Sequence, residues 1–352
     1  LQAHLCGTAR ETVMTTDANQ QIVIAELPTN KLGTEHFSIQ TTPIPQPGAG
    51  EVLCKTLYLS LDAANRAWMQ GATYRSAITA GTVMSGGVLA EVLVSNTPEF
   101  SPGDLVEAEG GWQQYFVANS KVQRKRIRRD PLSHLVSVLG VTGKTAYCGL
   151  LDIGQPQAGE TVVVSAAAGA TGNVVGQIAK LKGARVVGIA GGEEKCDWLQ
   201  AELGFDATVD YRRDDFHRGL KEACPNGIDV YFDSVGGAVL EAVLFRMNMH
   251  GRVICCGAVS QYDTGSPEPG PRGVPGLIVT KRLSLRGFIV MDYYGGLAEQ
   301  AEQDLNTWVQ NGNIKVVEDI IEGLDAAPEA LIGLLGGQNY GKRMIRVDPT
   351  AR

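Results

Sequence analysis

The sequence predicts an α/β protein in which a doubly wound parallel sheet is joined to a smaller all-β domain. Three observations predict it. Residues 21–125 carry short alternating apolar runs separated by Gly, Pro and Asn. From residue 161 onward, continuous apolar strands alternate with helical stretches. A glycine-rich turn, "VVVSAAAGATGNVVG", stands at the first strand-to-helix junction of that second region.

In chain order, "QIVIAEL", "GEVLCKTLYLSL", "AGTVMSGGVLAEVLV" and "GDLVEAEGGWQQYFVA" have the length and spacing of short strands and suggest a partly closed barrel or a sandwich. Residues 131–153 have helical spacing interrupted by Gly140 and Gly143, and read as a helical bridge. "TVVVSAA" is then a buried strand, and "GNVVGQIAKLKG" a helix ending at Gly183. "RVVGIA" is the next strand and "EEKCDWLQAELG" the next helix; "ATVDY", "IDVYFDSVG", "GRVICCGAV" and "LSLRGFIV" supply four more strands. Such an alternation gives a parallel sheet covered on both faces, the Rossmann arrangement. The tail holds a helix within "YYGGLAEQAEQDLNTWVQNG", and its last strand has no evident place in the sheet. It is therefore returned to the first domain. The expected boundaries are 14–137 for the first domain, 138–300 for the dinucleotide domain and 301–352 for the return. Met14 opens "MTTDANQQIV", and residues 1–13 read as a leader or added sequence.

The chain of 352 residues has a net charge of −7, which argues against nucleic acid as a partner. Its one basic run, "KVQRKRIRRDP" (121–131), reads as a solvated linker face. No stretch reaches the roughly 18 apolar residues of a membrane span. The seven cysteines, odd in number and without paired spacing, fit a reducing compartment, the cytoplasm by default.

In the glycine-rich turn, Ala167, Gly169 and Gly172 stand at dinucleotide-fingerprint spacing, with Ala in the first position. Gly169 admits the pyrophosphate close to the backbone, and Gly172 and Gly176 let the helix pack on the strand. Ala170 and Thr171 lie between these glycines and are expected to contact the cofactor, while the N-terminus of the helix offers the anion unpaired N–H groups. About 20 residues on, an acid at the end of the second strand would grip the ribose of NAD. Gly191 and Gly192 occupy that place, followed by Lys195. The glycines leave room for a 2′-phosphate and Lys195 supplies a charge, so NADP(H) is the expected cofactor. Tyr211 and Arg212 would pack on the adenine side. Glu193 and Glu194 are either ribose acceptors or first-turn acids favoured by the helix dipole.

Over nearly all of residues 20–350, the sequence resembles the medium-chain dehydrogenase/reductase superfamily. Within it, the likeness is to the zinc-independent NADPH-dependent alkene reductases, a branch that includes prostaglandin reductases, plant double-bond reductases and curcumin reductase. The motifs are "LGVTGKTAYCGLLDIGQPQAGETVVVSAAAGATGNVVGQIAKLKGARVVGIAGGEEK", "GFDATVDYR", "GIDVYFDSVGG", "GRVICCGAVSQY" and "GQNYGK". The resemblance implies a GroES-like barrel beside the Rossmann domain, an active site in the cleft between them, and NADPH-dependent reduction of an α,β-unsaturated carbonyl. It also implies a homodimer, with "SLRGFIVMDY" as the pairing edge.

Zinc separates the branches. Cys54 stands alone in the barrel, no CxxC occurs, and His36, His134, His217 and His250 lack ligand spacing, so no metal is expected. Hydride addition to an enone gives an enolate that needs a hydrogen-bond donor at oxygen and a proton at the α-carbon. A neutral tyrosine suits either task. Tyr262, in "AVSQYD" past the fifth strand, matches the family's cleft tyrosine, and Tyr74 in "GATYRSAI" resembles its substrate-loop tyrosine. Thr142, Ser234, Cys256 and Gly257 are expected along the cofactor channel. Phe288, Asn339 and Lys342 resemble nicotinamide or phosphate contacts. Asn65, Arg66, Trp68 and Met69 are expected to wall the substrate space.

Two departures stand out. Ala63, Ala64 and Asn65 replace a proline-containing stretch of the relatives, and Ser234 stands where they usually have Asn. They leave open an NADPH-binding relative without turnover, and the superfamily leaves open an NADPH:quinone oxidoreductase.

Overall fold

The computed structural model describes residues 18–119, 124–267 and 269–351, so the expectation for residues 1–13 lies outside the described residues. The first domain opens with an antiparallel pair, β1 (Ala18–Ile24) and β2 (Phe37–Pro43). It continues with β3 (Glu51–Ser60), the short helix α1 (Ala64–Trp68), β4 (Val88–Ser95), β5 (Leu105–Ala108), β6 (Tyr115–Asn119) and β7 (Arg124–Arg126). β3 is buried along most of its length because it is flanked by β4, β6 and the last strand of the chain. Its near-continuous apolar run, "VLCKTLYLSL", follows from that position.

A bridging segment with helix α2 (Val141–Cys148) leads to the dinucleotide domain. That domain runs β8 (Thr161–Val164), α3 (Ala170–Leu181), β9 (Arg185–Ala190), α4 (Glu193–Leu203), β10 (Ala207–Asp210), α5 (Phe216–Ala223), β11 (Ile228–Asp233), α6 (Gly237–Arg246), β12 (Met247–Cys255), α7 (Val274–Lys281) and β13 (Ser284–Gly287). The six strands lie in the order β10-β9-β8-β11-β12-β13, every neighbouring pair parallel. This is the doubly wound order, in which the chain reverses direction across the sheet between β8 and β11. All four residues of β8 are buried, as a strand covered on both faces requires.

The tail adds α8 (Leu297–Gln310), β14 (Glu318–Glu322), α9 (Ala327–Leu335) and β15 (Lys342–Arg346). β15 lies between β14 and β3 in the seven-stranded sheet of the first domain. One apolar core runs from Leu57, Tyr58 and Met344 of that sheet through Leu132, Leu139 and Leu150 of the bridge to Val162 and Phe232 of the other. The two domains therefore share packing at their junction.

The basic run is exposed at Lys125, Ile127 and Arg128 as expected of a solvated face, and departs from it at Arg126 and Arg124. Arg126 is buried, donates to Leu139 O at 3.1 Å, and pairs with Glu107 and with Glu302 of α8. Arg124 lies 3.3 Å over the ring of Tyr294. The cause is topological, since β7 pairs with β5 where α8 covers the junction. Residues 121–123 of the run lie outside the described residues.

Candidate active site

The turn from β8 to α3 forms a cradle. Its first internal helical bond runs from Asn173 N–H to Gly169 O, so the N–H groups of Ala170, Thr171 and Gly172 have no acceptor within the helix. Ala167 is fully buried, and a Cβ on Gly172 would stand 2.4 Å from Ala166 O, so only glycine allows this approach. The tail closes over the turn, with Gly341 N–H donating to Ala168 O at 2.8 Å. A pyrophosphate fits the free amides and the positive end of the helix.

At the far end of β9, Gly192 has φ +98°, a conformation side chains resist, and it caps α4. Asp210, at the end of β10, accepts both Gly192 N–H and Arg212 N–H at 2.9 Å. This fixes the two strand-end loops side by side. Asp210, the acid that ends the neighbouring strand, is thus occupied by backbone donors. Lys195 donates to Gly337 O and Asn339 O, each at 2.7 Å, and sits 5.1 Å over the Tyr340 ring. Burial first, and then Arg212 and Arg343, hold its ammonium below the usual lysine range. Asn339 is buried and donates to Gly341 O at 2.8 Å, which stiffens the same tail turn. Tyr211 and Arg212 are exposed beside the glycines, where a Cβ on Gly191 would meet Arg212 Nε and the Tyr211 ring at 2.9 Å. Arg212 brings a second cation to the place where the sequence supplied only Lys195. Its signal was the "YRR" directly after β10.

Three parallel strands end in register, Asp233 beside Cys255 and Cys255 beside Gly287. Ser234, Cys256 and Phe288 are the next residues of each chain segment and so form a row along the carboxyl edge of the sheet, where ligands bind in this architecture. Asp233 Oδ1 underpins that edge by accepting from Ser165 Oγ, Tyr231 Oη, Val235 N–H and Gly236 N–H. Sequence reasoning did not single it out. Phe288 meets Phe232 and Tyr293 edge-on. Thr142, Ala170, Asn173 and Lys342 line a narrow cleft beside the phosphate turn. Lys342 is buried and donates to Leu61 O at 2.8 Å and to Asp62 at 2.6 Å.

Tyr262 follows a 3-10 turn (Val259–Gln261) just past β12. Its Oη accepts Ala258 N–H at 3.0 Å and lies 3.4 Å from where a Cβ on Gly257 would sit. The phenol proton is left to donate. Burial raises its pKa above the ordinary tyrosine value, so the hydroxyl stays protonated. Tyr74 Oη accepts Trp68 Nε1–H at 3.2 Å, and Tyr74 is 51% exposed. Arg75 holds this loop by lying 4.2 Å over Trp68 and pairing with Glu109 at 3.1 Å.

The expected substrate wall is largely interior. Asn65 is fully buried, accepts Asp62 N–H and donates to Ser85 O. Met69 and Trp68 are buried too. Arg66 is 1% exposed and joins Asp263 and Asn30. The polar groups of Asn65 and Arg66 are thus taken up by partners inside the protein, whereas Tyr74, Ser234 and Tyr262 keep solvent-reachable surface.

A phosphate cradle on a doubly wound sheet, facing a β-domain that shares its core, defines a two-domain dinucleotide-dependent oxidoreductase. Sequence-family profiles agree: residues 20–125 match the N-terminal domain of oxidoreductase and residues 170–309 match the zinc-binding dehydrogenase domain. The chain is 43% identical to the NADPH-dependent curcumin reductase of Escherichia coli, over 94% of this chain and 97% of that one. It is 38% identical to the NADP⁺-dependent 2-alkenal reductase of Nicotiana tabacum, over 94% and 98%. The crystal structure of CurA from Vibrio vulnificus in complex with NADPH superposes with a TM-score of 0.89 at 41% identity, covering 94% of this chain and 99% of that one. The chain belongs to the medium-chain dehydrogenase/reductase superfamily, in its NADPH-dependent alkene reductase branch. Despite the name of the second profile, the described residues contain no group of three or more His, Cys, Asp or Glu that could hold a metal ion.

Proposed function

We propose that the chain reduces the activated C=C bond of α,β-unsaturated aldehydes and ketones without zinc, with hydride going to the β-carbon and a proton to the α-carbon. The cofactor is NADP(H). Bound at the cradle, NADPH supplies the hydride. The observation that carries the reading is Tyr262, a half-buried phenol whose oxygen already accepts Ala258 N–H. That backbone bond orients the hydroxyl and leaves its proton for the oxygen on which enolate charge develops. Tyr74, tethered through Trp68, supplies a second phenol from the facing domain. The relatives' substrates, a curcuminoid and 2-alkenals by name, support the same chemistry.

The reading includes a homodimer joined at β13, a strand that lies at the edge of its sheet. It places the enzyme in the cytoplasm, supported by an odd number of cysteines without paired spacing.

The test is Tyr262→Phe, assayed by NADPH oxidation with enals, enones, quinones and saturated aldehydes. Turnover of enones should fall about 100-fold, the low end for loss of a positioned acid or oxyanion donor, with NADPH affinity retained. In the parent enzyme, the limb that depends on the protonated phenol should extend above pH ~10, the ordinary tyrosine value. Activity on saturated carbonyls alone would overturn the reading, and unchanged turnover would remove Tyr262 from it.

A further inference from the structure

Arg66 raises a question the substrate-wall reading does not answer. It sits on α1 of the first domain with 1% of its surface exposed, yet its principal partner belongs to the other domain. Nε donates to Asp263 Oδ1 at 3.0 Å, and Nη2 donates to Asn30 O at 2.6 Å. Nη1 is buried and has no hydrogen-bond partner. A buried guanidinium with one N–H group unmet is poorly explained by stability, because apolar packing of the same volume would avoid that penalty.

What the contact holds is the loop that carries Tyr262. Asp263 Oδ1 also accepts Leu32 N–H at 2.8 Å. Gln70, one turn beyond Arg66, donates to Gln261 O at 3.2 Å and to Thr264 O at 3.4 Å. Gly265 N–H reaches Asn30 Oδ1 at 3.3 Å, and a Cβ on Gly265 would stand 2.6 Å from Thr29 O. Every one of these contacts crosses from residues 29–32 or 66–70 of the first domain to residues 261–265 of the other. Tyr262 lies in the middle of the latched segment. Its hydroxyl is tied to its own domain through Ala258, while its backbone is tied to the opposite domain through the next residue.

We propose that Arg66 and Asp263 form a cross-domain latch that positions Tyr262, so that the phenol is correctly placed only when the two domains are locked together. Neither residue touches the reacting atoms; both are positioning residues that act through Tyr262. The proposal rests on the enone-reductase reading for its catalytic consequence, but the latch itself is a mechanical statement that does not.

Asp263 is the better handle, since its side chain is a quarter exposed and removing it leaves the Arg66 packing in place. Asp263→Ala should lower kcat for an enone about tenfold or more, with KM for NADPH within about twofold, because binding at the cradle does not involve the loop. Asp263→Asn keeps an acceptor oxygen for Leu32 and Arg66 and should restore most of kcat. In a Tyr262→Phe background, Asp263→Ala should cause little further loss, since a residue acting through Tyr262 has nothing left to position. Additive losses, or full kcat in Asp263→Ala, would overturn the proposal. Hydrogen exchange of the amides of residues 259–265 separates it from the catalytic reading. Faster exchange in Asp263→Ala than in the parent chain supports the latch even where no enone is turned over. Unchanged exchange overturns it even where Tyr262→Phe behaves as expected.

Discussion

Lys195 was legible in the sequence as a cation beside two glycines, but its actual bonds were not. Two of its three N–H groups go to Gly337 O and Asn339 O in a turn more than 140 residues away. It therefore has two separable effects, a charge for the 2′-phosphate and a clamp on the tail turn. Lys195→Ala should weaken NADPH binding by about 1.5–3 kcal/mol, roughly tenfold to a hundredfold in Kd, if the charge dominates. NADH binding should then change little. Titration of both cofactors by fluorescence decides, and an equal loss for NADH would mean that the clamp matters and the charge does not. Arg212→Ala should give the same selective loss in smaller measure, because its guanidinium is exposed and screened. Sequence reasoning gave Arg212 only a packing role, since its nearness to Gly192 depends on Asp210 drawing two loops together. The bonds of Asn65 were hidden for a related reason. An amide beside two alanines suggests an open wall, and only the fold shows Ser85 O waiting for it.

Among the elements, periodicity made the strands and helices of the dinucleotide domain legible. Continuous apolar runs such as "TVVV" become fully buried parallel strands, and the glycine turn marks the start of α3. Contacts between remote loops have no such signature. Arg66 and Asp263 are 197 positions apart, and nothing in either local pattern announces the other. β13 is an intermediate case. Its apolar "LSLRGFIV" predicts a strand, but the strand is only Ser284–Gly287, because just β12 pairs with it. α7 beside it has no buried residue, and Val279 is 73% exposed. An open strand edge and an uncovered apolar side chain on the preceding helix are features a second copy would cover. Light scattering should give twice the chain mass, and Val279→Asp should shift the population toward the monomer. A monomeric parent protein would remove the dimer from the proposed function.

For the whole molecule, the decisive feature is a second polar contact between remote segments of the chain, centred on Glu302. Arg126 of β7 and Lys144 of α2 both converge on Glu302 of α8, at 3.1 and 2.8 Å. Their side chains are only 4% and 3% exposed, so both charges are shielded from water. Arg126 keeps Glu107 as a second partner, whereas among the described residues the Lys144 ammonium is left with the Tyr294 ring 5.9 Å away. Removing the shared carboxylate therefore strands one buried cation next to another. Breaking a buried pair from one side costs about 3–5 kcal/mol, most of it the uncompensated charge. Glu302→Ala should lower the free energy of unfolding by that amount, read as a fall in the denaturant midpoint at unchanged slope, and adding Lys144→Met should recover a large part of it by replacing the stranded ammonium with an apolar chain of similar length. A midpoint unchanged in Glu302→Ala would show that water reaches Lys144, and that the shared apolar core alone joins the domains.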